Sequence, residues 1–358
     1  MLVQDSSSGL QKLYVQHLID HMENNLVSCW CKNVKTLPES YIFPEDQRPG
    51  EPILPLSGSS PIIDLTIHEH DQAQQIIKAS QDFGYFQVIN HGISETLLED
   101  TVDVLKEFFN MPAKEKAKYY SVDPNSKCKL YTSTTNYSSE DKHYWRDALA
   151  HHCHPLQHCL PFWPEKPTRY REVISAYSIE TRKLITKISD VIGEGLGLEK
   201  GYFGGELSKV QMLLVNYYPP CPDPNLALGM HSHCDPNLFT ILLQDNVHGL
   251  QIFKDGKWIA VEPIPNAFVV IIGCQLQIIS NNKLKSVIHR AVTNSKETRI
   301  CVGNFVIPSS DCHIEPASDL VRNTTNIPAY KPYQYKEFLH TYAINQGDFE
   351  AVLQSYKL

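Results

Sequence analysis

No uninterrupted apolar stretch in this 358-residue chain approaches the roughly 20 residues that a membrane-spanning helix needs, so a transmembrane protein is not expected. Runs of lysine and arginine are also missing: 32 basic residues stand against 40 acidic ones, for a formal net charge of -8. That balance disfavours nucleic acid and anionic membrane as partners and leaves small molecules. Met1 is followed by Leu-Val-Gln-Asp-Ser-Ser-Ser, without the basic and apolar segments of a secretory signal, and a cytoplasmic location is expected. Ten cysteines are present but no Cys-x-x-Cys pair, so they read as free thiols rather than a disulfide framework. Neither Cys29-x-Cys31 nor the group His151, His152, Cys153, His154, His158 and Cys159 has zinc-site spacing, and the latter reads as a polar loop. Internal repeats and low-complexity tracts are absent as well. With 42% apolar residues, the chain has enough to bury one substantial core.

Apolar spacing predicts a helix over residues 11–27, followed by an extended connector from Leu37 to Pro61. A strand over Ile62–Leu65, a helix stopped near Gly84, a strand over Tyr85–Ile89, a turn at Asn90-His91-Gly92 and a helix from Glu95 to Phe109 come next. Residues 123–141 are polar and weakly patterned, and are expected to form a mobile lid beside a pocket. A long helix is predicted over Thr168–Leu196. From Val210 onward, short β-branched and aromatic runs recur at close intervals, which predicts an all-β sandwich or barrel packed against N-terminal helices.

Within that β-rich half stands His233-Cys234-Asp235, just before the apolar run Leu238–Leu243. Residues two apart on a strand project from one face, so His233 and Asp235 are expected to converge on one ion. His289 follows in a second β-branched stretch and would complete a set of two imidazoles and a carboxylate. Such a facial set leaves open positions and suits Fe(II) better than a closed structural zinc site. Beyond it, Arg299 offers a planar, permanently charged fork that grips a carboxylate at two points, which a zinc hydrolase has no particular need for. The combination predicts an iron site that also holds an acidic co-substrate. A zinc hydrolase and a non-catalytic small-molecule binder are the readings from other classes.

These residues, with Pro61–Leu65, Asp82–Gly92, Asn216-Tyr217-Tyr218-Pro219-Pro220-Cys221, Asp235-Pro236-Asn237, Gln275-Leu276-Gln277 and Ser286–Val292, resemble the plant 2-oxoglutarate- and Fe(II)-dependent dioxygenases over nearly the whole chain. The resemblance implies a mainly β fold with flanking helices and a double-stranded β-helix, or jelly-roll, core. It divides the chain into an N-terminal helix and connector (1–60), a mixed α/β region (61–205), the jelly-roll core (206–310) and a C-terminal segment (311–358). By the same resemblance His233, Asp235 and His289 are the iron ligands, Arg299 binds the distal carboxylate of 2-oxoglutarate, and Asn216, Tyr218 and Cys301 help to place it. Cys301 stands where relatives usually carry serine, and a thiol is the weaker hydrogen-bond donor. Cys234 and Cys274 also replace more usual residues, and thiols beside an oxidising iron are open to oxidation.

Among the family's branches, Lys129-Leu130-Tyr131, Tyr144–His151, Trp163–Pro167 and Glu194–Leu198 most resemble the hyoscyamine 6-hydroxylase-like group. A tropane alkaloid is a cation, yet residues 131–135 contain no acid to receive it. Leu214 stands where flavonoid-modifying relatives tend to carry a basic residue. Leu214, Tyr131, Phe305 and Ile307 are therefore expected around an apolar pocket. The implied activity is hydroxylation of a small, largely apolar plant metabolite, alkaloid-like or another ring compound, with succinate and carbon dioxide as co-products. O-demethylation, desaturation and epoxidation are the variants open to the same chemistry. Oxygen is the further co-substrate, ascorbate an accessory reductant, and a monomer the expected state.

Overall fold

The structure is a computed structural model that describes residues 19–50, 60–123, 125–321, 327–345 and 348–358. Two sheets face each other. The larger has eight strands in the order β1 (Ile62–Asp64), β2 (Tyr85–Ile89), β10 (Phe268–Ile272), β7 (Phe239–Gln244), β12 (Arg299–Ile307), β5 (Val210–Tyr218), β4 (Asp147–His154) and β3 (Cys128–Thr132). The smaller has four, in the order β6 (Leu228–His233), β11 (His289–Val292), β8 (Leu250–Lys254) and β9 (Lys257–Ala260). A separate pair joins β13 (His313–Ile314) to β14 (Tyr333–Gln334). This is the jelly-roll with flanking helices that the sequence implies.

The pairing of β5 with β12 sets the geometry of the site. Arg299 lies opposite Tyr218, Cys301 opposite Asn216, Gly303 opposite Leu214 and Phe305 opposite Met212. Directly opposed residues share a face and successive residues alternate, so one side of this ribbon presents Arg299, Cys301, Gly303, Phe305, Leu214, Asn216 and Tyr218. That side lines the cavity between the sheets. The other side, with Ile300, Val302, Val306, Leu213 and Val215, belongs to the main hydrophobic core. Helices α1 (Glu69–Asp82), α2 (Glu95–Asn110) and α3 (Tyr170–Leu196) contribute buried apolar residues to the same core. Helix α3 ends at Gly197, whose positive φ of 75° lets the chain turn back while its N–H bonds the carbonyl of Glu194.

Several sequence expectations change. Of the predicted first helix, residues 19–27 fall among the described residues: 19–25 are helical, Leu26 interrupts, and Val27 opens a separate short helix, Val27–Trp30; residues 11–18 lie outside them. The expected lid over 123–141 contains the edge strand β3, with Leu130 buried in the core. The supposed polar loop at His151–His154 is the end of β4, where His151 and Cys153 are buried and His151 Nε2 lies 2.8 Å from the Tyr170 hydroxyl. Because the N-terminal half supplies β1 to β4 to the larger sheet, the β architecture is not confined to residues beyond Val210. Within the C-terminal half, Gln275, Leu276 and Gln277 form part of a short helix, α4 (Cys274–Ile279).

Candidate active site

His233 and His289 face each other across the β6–β11 pair, with ring centroids 4.3 Å apart. Asp235 is not on the strand. It lies in the turn from β6 to β7, and its convergence with His233 comes from that turn rather than from strand alternation. The turn is fixed at both ends. The Asp235 carbonyl accepts the Cys274 N–H at 2.8 Å, and Thr240 Oγ1 donates to Asp235 Oδ2 at 2.5 Å. Asn237 Nδ2 donates to Thr240 Oγ1 and to the Phe239 carbonyl, both at 3.0 Å. A Cβ on Gly273 would meet the Asn237 carbonyl oxygen at 2.2 Å, so this close approach requires glycine.

Both imidazoles are oriented from behind. His233 Nδ1 lies 2.9 Å from the His231 carbonyl and His289 Nδ1 3.1 Å from the Val287 carbonyl. A carbonyl only accepts, so each Nδ1 carries the proton and each Nε2 presents a lone pair. Each Nε2 is 3.7 Å from Asp235 Oδ1, the carboxylate oxygen that Thr240 leaves free. The three ligand atoms lie within 4.8 Å of one another, and this is the set of that kind among the described residues. Burial, reinforced by His289 and His231 alongside, holds the His233 pKa well below its ordinary value and keeps the ring neutral, as a metal ligand must be. The donor set thus fits a divalent iron held on one side only.

Arg299 is buried, 2% exposed, at the floor of the same cavity. Its Nε donates to the Val247 carbonyl at 3.2 Å and its Nη2 to Gln244 Oε1 at 2.9 Å. Nη1 lies 3.8 Å from Cys301 Sγ. The guanidinium carbon stands 5.1 Å from the centre of the Tyr218 ring. A Cβ on Gly249 would sit 2.7 Å from Arg299 Cδ, so the absence of a side chain there makes room for the stem. Among the described residues no carboxylate makes a direct ion pair with this guanidinium, although the Asp245 charge acts on it from further away. A buried cation without a direct partner is costly, and an acidic ligand would offset that cost. Asn216 Nδ2 lies 3.8 Å from Cys301 Sγ, and burial pushes the Tyr218 hydroxyl up to about 12, so it stays protonated.

The cavity encloses about 1080 Å³ and reaches from these residues to Tyr131, Leu214 and Phe305. Ile307 instead packs against the main core. Cys234 and Cys274 also belong to that core rather than to the cavity; burial pushes the Cys234 thiol up to about 12 and the Cys274 thiol well above its ordinary value. Of the three substituted thiols only Cys301 reaches the cavity, which removes the expected exposure of the other two to oxidation.

Several lining residues went unrecognised in the sequence. Phe43, Pro44 and Gln47 from the connector, Tyr144, Arg146 and His231, and Tyr342, Ala343 and Ile344 of helix α5 (Tyr335–Ile344) all line the cavity. An acid is present too: Glu140 reaches the wall from beyond residues 131–135, held by Ser133 Oγ at 2.5 Å, Thr134 Oγ1 and His143 Nδ1 at 3.1 Å. The signal for Arg146 lay in the alternation of Arg146, Ala148 and Ala150 against Asp147, Leu149 and His151. Once β4 is known to be a strand, that alternation places the first three on the cavity side.

The profile of the 2OG-Fe(II) oxygenase superfamily matches residues 209–308, and that of the non-haem dioxygenase in morphine synthesis N-terminal region matches residues 60–166. Hyoscyamine 6-dioxygenase of Hyoscyamus niger is 48% identical, over 93% of this chain and 98% of that protein. Flavanone 3-dioxygenase 2 of Oryza sativa subsp. japonica is 42% identical, over 90% and 94%. The crystal structure of JOX2 in complex with 2OG, Fe and JA superposes with a TM-score of 0.78 at 36% identity, covering 88% of this chain and 92% of that one. No helix among the described residues is long and apolar enough to cross a membrane. With two imidazoles, one free carboxylate oxygen and a buried guanidinium on a single cavity, the chain belongs to the 2OG-Fe(II) oxygenase superfamily as an Fe(II)- and 2-oxoglutarate-dependent dioxygenase.

Proposed function

We propose that this dioxygenase hydroxylates a small, largely apolar ring compound of plant specialised metabolism, with Fe(II) on His233, Asp235 and His289 and 2-oxoglutarate anchored by Arg299. The observation that carries this reading is the convergence of His233 Nε2, His289 Nε2 and Asp235 Oδ1 on a cavity whose floor is the unpaired Arg299 guanidinium. Bound iron, with 2-oxoglutarate and oxygen, supplies the oxidising power and yields succinate and carbon dioxide as co-products.

The remaining work falls to the chain. Arg299 fixes the far carboxylate of the co-substrate by charge and direction, and Cys301, Asn216 and the protonated Tyr218 form the wall along it. Thr240 and the His231 and Val287 carbonyls hold the three ligands in one geometry, so little reorganisation is needed on binding. Leu214, Phe305 and Tyr131 give the substrate an apolar bed and keep water from the reacting carbon. A panel of plant ring metabolites, assayed for succinate formation above the uncoupled rate, tests the reading. Iron- and oxygen-dependent stimulation by some members with a hydroxylated product is expected. Succinate formation that needs neither iron nor oxygen would overturn it.

A further inference from the structure

We propose that the substrate carries a carboxylate and that Arg146 seats it, with His231 as a second hydrogen-bonding partner; this deepens the reading above and rests on the cavity being an oxygenase site. Arg146 is 5% exposed, immediately before β4, and lines the cavity. Its known partners are neutral: Nε donates to the Ser133 carbonyl at 2.8 Å and Nη1 to Asn216 Oδ1 at 2.6 Å, with the Tyr218 hydroxyl also in reach. A guanidinium has five N–H groups, so donors remain for a ligand. Among the described residues no carboxylate pairs with Arg146. Besides Asp235, two acids line the wall: Glu140, held by Ser133, Thr134 and His143, and Asp141, which is exposed to solvent.

The cavity thus has two buried, unpaired guanidinium groups. Asn216 stands between them, accepting from Arg146 at 2.6 Å while its Nδ2 lies 3.8 Å from Cys301 Sγ, itself 3.8 Å from Arg299 Nη1. One co-substrate carboxylate accounts for Arg299. The other cation faces Tyr131, Ala148, Ala150 and Leu214, an apolar cluster on the substrate side. His231 lines the same wall, its ring 5.1 Å from that of Tyr144, and its Nδ1 is buried without a hydrogen-bond partner. Two cations and an unused polar nitrogen favour an anionic substrate group and repel a protonated amine. The charge missing at Leu214 is therefore supplied by the residue just before the adjoining strand, β4, which pairs with β5 through Ala150 opposite Leu214.

The test uses iron-loaded full-length enzyme and three ring skeletons, 3-phenylpropanoate, 1-naphthylacetate and cyclohexylacetate, each as acid, methyl ester and the amine that replaces the carboxylate. Binding is read from tryptophan fluorescence, which needs no turnover, and succinate formation is followed in parallel. The acids are expected to bind about tenfold more tightly than esters or amines. Arg146→Gln should erase that ratio, and Arg146→Lys should keep part of it. Preference for amines, indifference to charge or no binding of any acid to the wild-type enzyme overturns the proposal, whatever the variants do. So does an Arg146→Gln enzyme whose 2-oxoglutarate KM rises while its acid-to-ester ratio stays intact, since Arg146 then serves the co-substrate. Absence of iron-dependent succinate formation in the wild-type enzyme would instead strike the oxygenase reading, and the binding ratios keep the two failures apart.

Discussion

At the iron end of the cavity each side chain is held by a second group. Carbonyls orient His233 and His289, Thr240 orients Asp235, and Gln244 and Val247 orient Arg299. At the substrate end, much of the lining comes from outside the two sheets: Phe43 and Gln47 from the connector, Glu140 and Tyr144 from the β3–β4 connection, and Ala343 and Ile344 from the last turn of α5. Chemistry that tolerates little displacement sits on paired strands with a fixed register, or, for Asp235, in a turn tied to Cys274 and Thr240. Segments outside the paired strands can change without disturbing that register, so the two ends of the cavity are structurally separable.

The largest test of this contrast is Asp235→Ala. It removes the carboxylate of the proposed ligand set and should abolish iron-dependent succinate formation, and turnover that survives would remove the ligand assignment. Arg299→Gln should raise the 2-oxoglutarate KM by about 10- to 100-fold, the worth of a charge-assisted hydrogen bond of roughly 1.5–3 kcal/mol. Steady-state kinetics with iron in excess measures it, and an unchanged KM would detach Arg299 from the co-substrate. At the other end, Ile344 is 66% exposed at the cavity mouth, so Ile344→Ser should leave the fold intact. It should weaken a stimulating substrate by about threefold through lost apolar contact, with 2-oxoglutarate KM unmoved. Equal changes in both constants would erase the distinction between the ends. Smallest is Cys301→Ser: a better donor beside Arg299 and Asn216 should lower the 2-oxoglutarate KM about two- to threefold. A KM that stays or rises shows that the thiol is not the weak point.

How far the molecule was legible in its sequence follows the same division. His233, Asp235, His289 and Arg299 could be read because their chemistry is unusual in combination and their order is compact. The strands β5, β7, β10 and β12 could be read because β-branched, aromatic and other apolar residues make up most of them. Strands β3, β4 and β6 escaped since the cavity face of a strand carries what the site needs, such as Arg146 or His231, and this breaks the apolar alternation on which strand recognition depends. Asp235 was expected on a strand and lies in a turn; the pair converged all the same because the turn is tied to Cys274 and Thr240. Ile307 and the thiols of Cys234 and Cys274 were expected near the cavity but face the core, a distinction that depends on which sheet surface a strand end buries.

The central claim joins one iron position to one carboxylate anchor, and an anaerobic titration of the apo-protein tests both at once. Addition of Fe(II) and then 2-oxoglutarate to the wild-type chain should produce the visible charge-transfer absorption of a chelated iron. Asp235→Ala should lose it, and Arg299→Gln should need about 10- to 100-fold more 2-oxoglutarate to reach it. The same absorption at the same concentrations in all three proteins would contradict the account.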